Sequence, residues 1–190
     1  MQEGLIKTNK MKKELFKEIE IPEGIEAEVD GNRIRIKGPE GENSRGFAIR
    51  DLKLTKEGNK IIVGSKKATK KEKKLMNTMA AHIKNMILGT QKKFEYELKA
   101  VFSHFPITID VNGQEVLIKN FLGEKTPRKT RIPSGVEIEV KGAIIKVKST
   151  DKELAGQAAA KLETATRIRA RDKRIFQDGI FIIKKAGREI

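Results

Sequence analysis

IEAEVDGNRIRI at residues 25–36 and ITIDVNGQEVLI at residues 107–118 decide how this chain folds. In the first, Ile25, Ala27 and Val29 alternate with charged residues up to Asp30-Gly31-Asn32, and Ile34 and Ile36 resume the alternation. In the second, Ile107, Ile109 and Val111 lead into Asn112-Gly113, and Val116 and Ile118 follow. Side chains alternate across a strand, and Asp-Gly or Asn-Gly supplies the left-handed backbone a tight turn needs, so each stretch predicts a β-hairpin.

A second hairpin is expected after each. Leu52 and Leu54 lead through Glu57-Gly58-Asn59 to Ile61 and Val63; Val136, Ile138 and Val140 lead through Gly142 to Ile145 and Val147. A helix follows in both halves, opened by Thr69-Lys70-Lys71-Glu72 and by Thr150-Asp151-Lys152-Glu153. Such a box lets a Thr hydroxyl and a Glu carboxylate satisfy amides that the first helical turn leaves without partners. The first helix aligns Leu75, Met76, Met79, Ile83, Met86 and Ile87 and is expected to stop at Gly89. The second aligns Leu154, Ala158, Leu162 and Ala165, an alanine-rich face that can lie close to a sheet.

Thr69 with Thr150 and Gly41 with Gly123 lie 81 and 82 positions apart. The fold class is therefore α+β, as two tandem copies of a small domain, each a largely antiparallel sheet packed against one helix. The expected division is residues 1–92 and 93–190, with the alternating stretch Phe94 to Phe102 opening the second copy. A 37% hydrophobic fraction suits two thin cores better than one large one.

The 190 residues carry 41 Lys and Arg against 26 Asp and Glu, a formal charge of +15. Such an excess calls for an anionic partner, with nucleic acid the first candidate. With no cysteine and only His82 and His104 as histidines, disulfides, thiol chemistry and Cys-ligated zinc are excluded and no cofactor or metal is expected. Met1 to Glu20 has no apolar signal segment and the longest apolar run is Ile180 to Ile183, so a soluble intracellular protein is expected, with no membrane partner.

Three clusters hold much of the charge. Lys56 to Lys74 has eight lysines and two glutamates and reads equally as a solvated face or a binding surface. Lys125, Arg128, Lys129 and Arg131 form the second cluster; Arg167, Arg169, Arg171, Lys173 and Arg174 form the third. Seven of the eleven arginines lie in the second half. Arginine grips phosphate oxygens through a planar fork, whereas lysine is a hydrated point charge, so specific anion contacts are expected in the second domain.

Pro127 and Pro133 bracket Arg128 to Arg131, which is expected to be a stiffened loop. Gly179 marks a turn or a close backbone approach, the turn being preferred. Lys184, Lys185 and Arg188 lie in a short basic tail suited to ordering against RNA.

Arg45-Gly46-Phe47-Ala48 starts like the aromatic strand of RRM domains but continues with Ile49 and Arg50 where that motif needs an aromatic residue and valine. Gly38 to Gly41 and Gly41 to Gly46 read as ordinary turns rather than phosphate clamps. Ser103, His104 and Asp110 make a poor nucleophilic set, because neighbours on a strand point to opposite faces. Phe102 and Phe105 are expected in the core. No carboxylate pair sits in a catalytic pattern, so an enzyme is not expected; an RNA-modifying enzyme or its targeting subunit is the runner-up.

Phe102-Ser103-His104-Phe105-Pro106, Asn120-Phe121-Leu122-Gly123-Glu124-Lys125 with Pro127-Arg128, Ala165-Thr166-Arg167 through Asp172-Lys173-Arg174, and Phe176-Gln177-Asp178-Gly179-Ile180 together resemble the large-subunit ribosomal protein L-six family in its archaeal and eukaryotic form. The resemblance runs from about Met11 and leaves Met1 to Lys10 unmatched. It implies a structural, cytoplasmic component of the large ribosomal subunit that binds large-subunit rRNA near the sarcin-ricin loop and stalk base. Neighbouring ribosomal proteins and translation factors would lie close by. The segments Asn120 to Arg128 and Arg167 to Gly179 become the expected rRNA-facing motifs. Joined to the charge clusters, they give Lys125, Arg128, Lys129, Arg131, Arg167, Arg169, Arg171, Lys173, Arg174, Gly179, Lys184 and Lys185 as the expected rRNA-binding residues.

Overall fold

A computed structural model of the chain describes residues 13–48 and 52–190. The expectations for Met1 to Lys10, and for Ile49 and Arg50, lie outside the described residues. Contacts divide the chain into two units, Met1–Ile87 and Leu88–Ile190, each with its own apolar core.

In the first unit the strands are β1 (Lys13–Glu20), β2 (Glu26–Asp30), β3 (Arg33–Gly38), β4 (Gly41–Gly46), β5 (Lys53–Glu57) and β6 (Lys60–Ala68). They form two antiparallel sheets, ordered β1-β6-β5 and β2-β3-β4. The first hairpin is the expected one: Asp30 pairs with Arg33, and Gly31 turns the chain at φ 57°. Ile34 and Ile36 are fully buried and Arg35 faces outward. Gly41 to Gly46 corrects the expectation of a turn. The segment is β4, held by its ladder to β3, and only Pro39 and Glu40 turn.

Helix α1 (Lys70–Gln91) packs Met76, Met79, Ala80, Ile83, Met86 and Ile87 into the core, each long side chain worth about 1.5–3 kcal/mol on burial. Leu75 falls off that stripe and is exposed. The Thr69 amide donates to Glu72 Oε2 at 2.7 Å, and the Lys71 amide to Thr69 Oγ1 at 3.3 Å, which starts the helix as expected. Gly89 does not stop it. Gly89 is buried inside the helix, where a Cβ would sit 1.9 Å from the Thr150 carbonyl oxygen.

The second unit repeats the plan and extends it. Its strands are β7 (Phe94–Val101), β8 (Thr108–Asn112), β9 (Glu115–Lys119), β10 (Arg128–Arg131), β11 (Glu137–Lys141) and β12 (Ile144–Ser149); helix α2 (Lys152–Ala165), β13 (Gly179–Lys185) and β14 (Arg188–Glu189) follow. The sheets are ordered β10-β9-β8 and β11-β12-β7-β13-β14. Strands β7 to β12 thus match β1 to β6 in pairing, and β13 adds to the edge of β7.

An expected loop, tail and cap are corrected in this unit. Arg128 to Arg131 is no loop but β10, paired with β9 from Arg128–Ile118 to Arg131–Glu115. The basic tail is a hairpin, with Lys184 opposite Glu189 and Lys185 opposite Arg188. Asp151 rather than Thr150 caps α2, its carboxylate accepting from the Glu153 amide at 2.8 Å. A cap must sit on the extended residue just before the first helical one, and the helix starts at Lys152. Ala155, Ala158, Ala159 and Leu162 are fully buried against the sheet, as their small size allows.

Candidate nucleic-acid interface

The second unit brings two of the three basic clusters together. After β9, Asn120 and Leu122 take left-handed backbone at φ 58° and 51°, which sinks Phe121 and Leu122 into the core. The Arg128 guanidinium lies 4.2 Å from the centre of the Phe121 ring. Its Nε and Nη2 grip the Glu124 carboxylate at 2.8 and 2.5 Å, and Nη1 donates to the carbonyls of Ala165 and Arg167 at 2.9 and 3.2 Å. Arg128 thereby ties β10 to the end of α2, whose last carbonyls lack helical partners. Its hydrogen bonds also hold the Glu124 carboxyl below the usual carboxylate range.

That tie shapes an open groove of about 890 Å³ between β10 and α2, lined by Lys129, Arg131, Gln157, Lys161, Arg167 and Arg169 among others. Gln157, Lys161 and Thr164 recur at helical spacing on the face of α2 opposite its buried alanines, a periodicity that the sequence reading passed over. Lys161 Nζ donates to the Arg131 carbonyl at 2.9 Å. Among the described residues, Lys129, Arg131, Arg167 and Arg169 enter no ion pair. Cations of one sign converging without counter-charges leave a positive potential that an anion relieves.

The loop between α2 and β13 is fastened at both ends. Thr166 Oγ1 accepts from the Ile180 amide at 2.9 Å. Asp178, only 2% exposed, accepts from the amides of Ser103 and His104 at 2.6 and 3.2 Å and meets His104 Nδ1 at 2.5 Å. Burial opposes ionisation of Asp178, but those donors prevail and hold its carboxyl below the usual range. The His104 ring stacks on Phe176 at 4.9 Å, and the Arg171 guanidinium lies 4.9 Å from the same ring.

Ser103 and His104 do not alternate on a strand, contrary to expectation: residues 102–106 form an irregular bend, and Ser103 Oγ lies 3.1 Å from His104 Nδ1. With Asp178 they assemble the residue types of a hydrolytic triad. Serine and aspartate meet the same ring nitrogen, however, whereas a relay needs them on opposite nitrogens. Asp110 pairs instead with Lys119. Phe102 and Phe105, expected in the core, are 45% and 47% exposed, because the bend carries them out of the sheet.

Lys125 is exposed before β10, and Lys173 lines a second cleft with Arg167. Arg174 pairs with Asp172 at 3.1 Å. Gly179 is the first residue of β13, not a turn, and it packs against Phe181. Lys184 pairs with Glu97 at 3.2 Å on the sheet face away from α2, so its charge is spent there; Lys185 ends the strand, exposed. In the first unit, Lys70, Lys73 and Lys74 line a shallow groove along α1 with Asn77 and His82, and Lys60 pairs with Glu18 at 2.8 Å. Among the described residues no cluster of three metal-ligating side chains occurs, and no helix is long and apolar enough to cross a membrane.

Fold and site together define a duplicated α+β protein with a cationic groove on its second copy and, among the described residues, no assembled catalytic constellation. The family model for ribosomal protein L6 matches residues 21–93 and 105–179, one stretch in each copy. The chain is 44% identical over 168 residues to the large ribosomal subunit protein uL6 of Methanobrevibacter smithii, covering 88% of this chain and 94% of that one. It is 44% identical over 172 residues to the uL6 of Sulfurisphaera tokodaii (90% and 92% covered), and 45% identical over 169 residues to that of Ignicoccus hospitalis (86% and 91% covered). The chain belongs to the ribosomal protein L6 family. It is accordingly a non-enzymatic, structural constituent of the large subunit of the cytoplasmic ribosome.

Proposed function

We propose that the chain binds large-subunit rRNA through its second copy, close to the sarcin-ricin loop and the stalk base, where it braces the RNA that translation factors approach. One observation carries the reading: Lys129, Arg131, Arg167 and Arg169 converge on one groove without carboxylate partners among the described residues. A phosphate backbone laid along β10 and α2 meets these cations. Arg128 holds the two walls in register, while Lys125, Arg171, Lys173 and Arg174 extend the cationic surface along the adjoining loops. Gly179 serves by admitting its neighbour's ring, and Lys184 and Lys185 border the sheet edge.

The test is titration of rRNA fragments with the chain and with a variant carrying Arg131→Ala, Arg167→Ala and Arg169→Ala. Each phosphate contact contributes about 0.7–0.9 to the slope of log affinity against log salt, so the variant's slope drops by about 2–3. A fragment holding the sarcin-ricin and stalk-base regions should bind more tightly than other large-subunit fragments. Unchanged affinity and slope in the variant, or no preference for that fragment, refutes the assignment.

A further inference from the structure

Beside the groove, and sharing Thr164 and Arg167 with it, lies a second cleft of about 740 Å³ beneath the loop that joins α2 to β13. That size falls within the range of small-ligand sites, about 300–1,000 Å³. Its floor is apolar, made by Val101, Ile168, Phe176 and Phe181, and its rim carries Arg167 and Lys173 against the single exposed carboxylate of Glu163. Phe181 is 43% exposed and Val101 40% exposed, so apolar surface stays open to water amid a concentration of cations.

Gly179 explains how the aromatic ring lies there. A Cβ on Gly179 would come within 3.2 Å of the Phe181 ring, so the bare backbone is what lets that ring settle across the strand. The cleft's two buried polar side chains are already engaged, with Thr166 Oγ1 bonded to the Ile180 amide and Asp178 to the Ser103–His104 bend. What remains to be matched is a flat apolar surface whose edge is net positive, two cations against one carboxylate. A planar heteroaromatic base attached to a phosphate has that combination, whereas an apolar peptide would leave the cations desolvated and unpaired.

We infer that this cleft receives a single unstacked nucleotide of the bound RNA, its base against Phe181 and its phosphate between Arg167 and Lys173. The inference rests on the RNA-binding reading above and adds where a base leaves its helix. Continuity of the cleft with the groove lets one strand run from phosphate contacts along β10 into the base site without crossing the fold.

The experiment compares the full chain's affinity for a short RNA duplex and for the same duplex with one central bulged nucleotide, 2-aminopurine, read by anisotropy and by the fluorescence of that base. The bulged RNA should bind roughly tenfold more tightly, the scale of one base stacked on an aromatic ring. The 2-aminopurine emission should rise on binding, as the base leaves the neighbouring bases that quench it for a phenylalanine ring that does not. Phe181→Ala, at an exposed position, should abolish the preference and leave duplex binding unchanged; Phe181→Trp should retain it, and Gly179→Ala should weaken it by displacing the ring. Equal binding of the two RNAs, or a preference that survives Phe181→Ala, overturns the cleft assignment and leaves the groove reading standing. Salt-independent binding, or none, to both RNAs refutes the groove reading and the cleft with it.

Discussion

Asp178→Ala should loosen the whole loop that follows α2. The carboxylate is 2% exposed and receives three donors, the Ser103 and His104 amides and the His104 ring. Hydrogen bonds to a charged acceptor contribute about 1.5–3 kcal/mol each. The bend at residues 102–106 is itself exposed, so water replaces part of what is lost, and a total cost of about 2–4 kcal/mol follows. With a urea slope of about 2 kcal/mol per molar, the midpoint falls by about 1–2 M. The chain has no Trp and a single Tyr, so circular dichroism is the suitable probe. Because the two units can unfold separately, amide exchange must accompany it. The Ser103, His104 and Ile180 amides should lose protection while those of β3 and β6 keep theirs. Since the Asp178 carboxyl ionises below its usual range in the folded chain, its contribution is complete above the unfolded value of about 3.9 and is lost as pH falls through the folded value. The gap between native chain and variant should therefore hold steady from about pH 5 to 7 and narrow below about pH 4. A midpoint shift under about 0.3 M with both bend amides still protected would refute the clasp.

Gly89→Ala tests the close approach inside α1. Helix propensity alone predicts stabilisation of about 1 kcal/mol, whereas a Cβ at 1.9 Å from the Thr150 carbonyl predicts a loss of about 1–3 kcal/mol; a lower melting temperature supports the contact and a higher one rejects it. Arg128→Lys keeps the charge but loses the fork on Glu124 and a bond to one of two carbonyls, so thermal melting should register a loss of about 1–2 kcal/mol. Arg131→Lys, by the same measurement, should cost under about 0.5 kcal/mol, because the Arg131 side chain is exposed and faces the groove.

What could be read from sequence follows from how locally each feature is encoded. The four hairpins were legible because apolar alternation and their turn glycines act within a dozen residues, as at Asp30 to Arg33. Strands β4 and β10, with sequences GENSRG and RKTR, carry no apolar side chain, and only the ladders to β3 and β9 make them strands. Charge located the groove's cations, since arginine content needs no geometry. It could not tell Arg128, turned inward onto Phe121 and Glu124, from Arg131, turned outward. Nor could it join Asp178 to Ser103 across 75 positions. Gly179 was misread because a glycine that admits a ring and a glycine that turns a chain look alike until the neighbouring side chain has a place.

Strand β13 docks on β7 with Gly179 opposite Val101, and it comes late in the chain. Strand β7 is flanked by β12 on one side and β13 on the other, so residues 179–185 complete its second edge from beyond the loop that carries Arg167 and Arg169. The loop is thereby held at its start by the Arg128 bonds to Ala165 and Arg167 and at its end by the Thr166–Ile180 bond and the Asp178 contacts with the Ser103–His104 bend. The spacing of the cations on that loop is thus set by pairing far along the sequence and not by the loop's own residues.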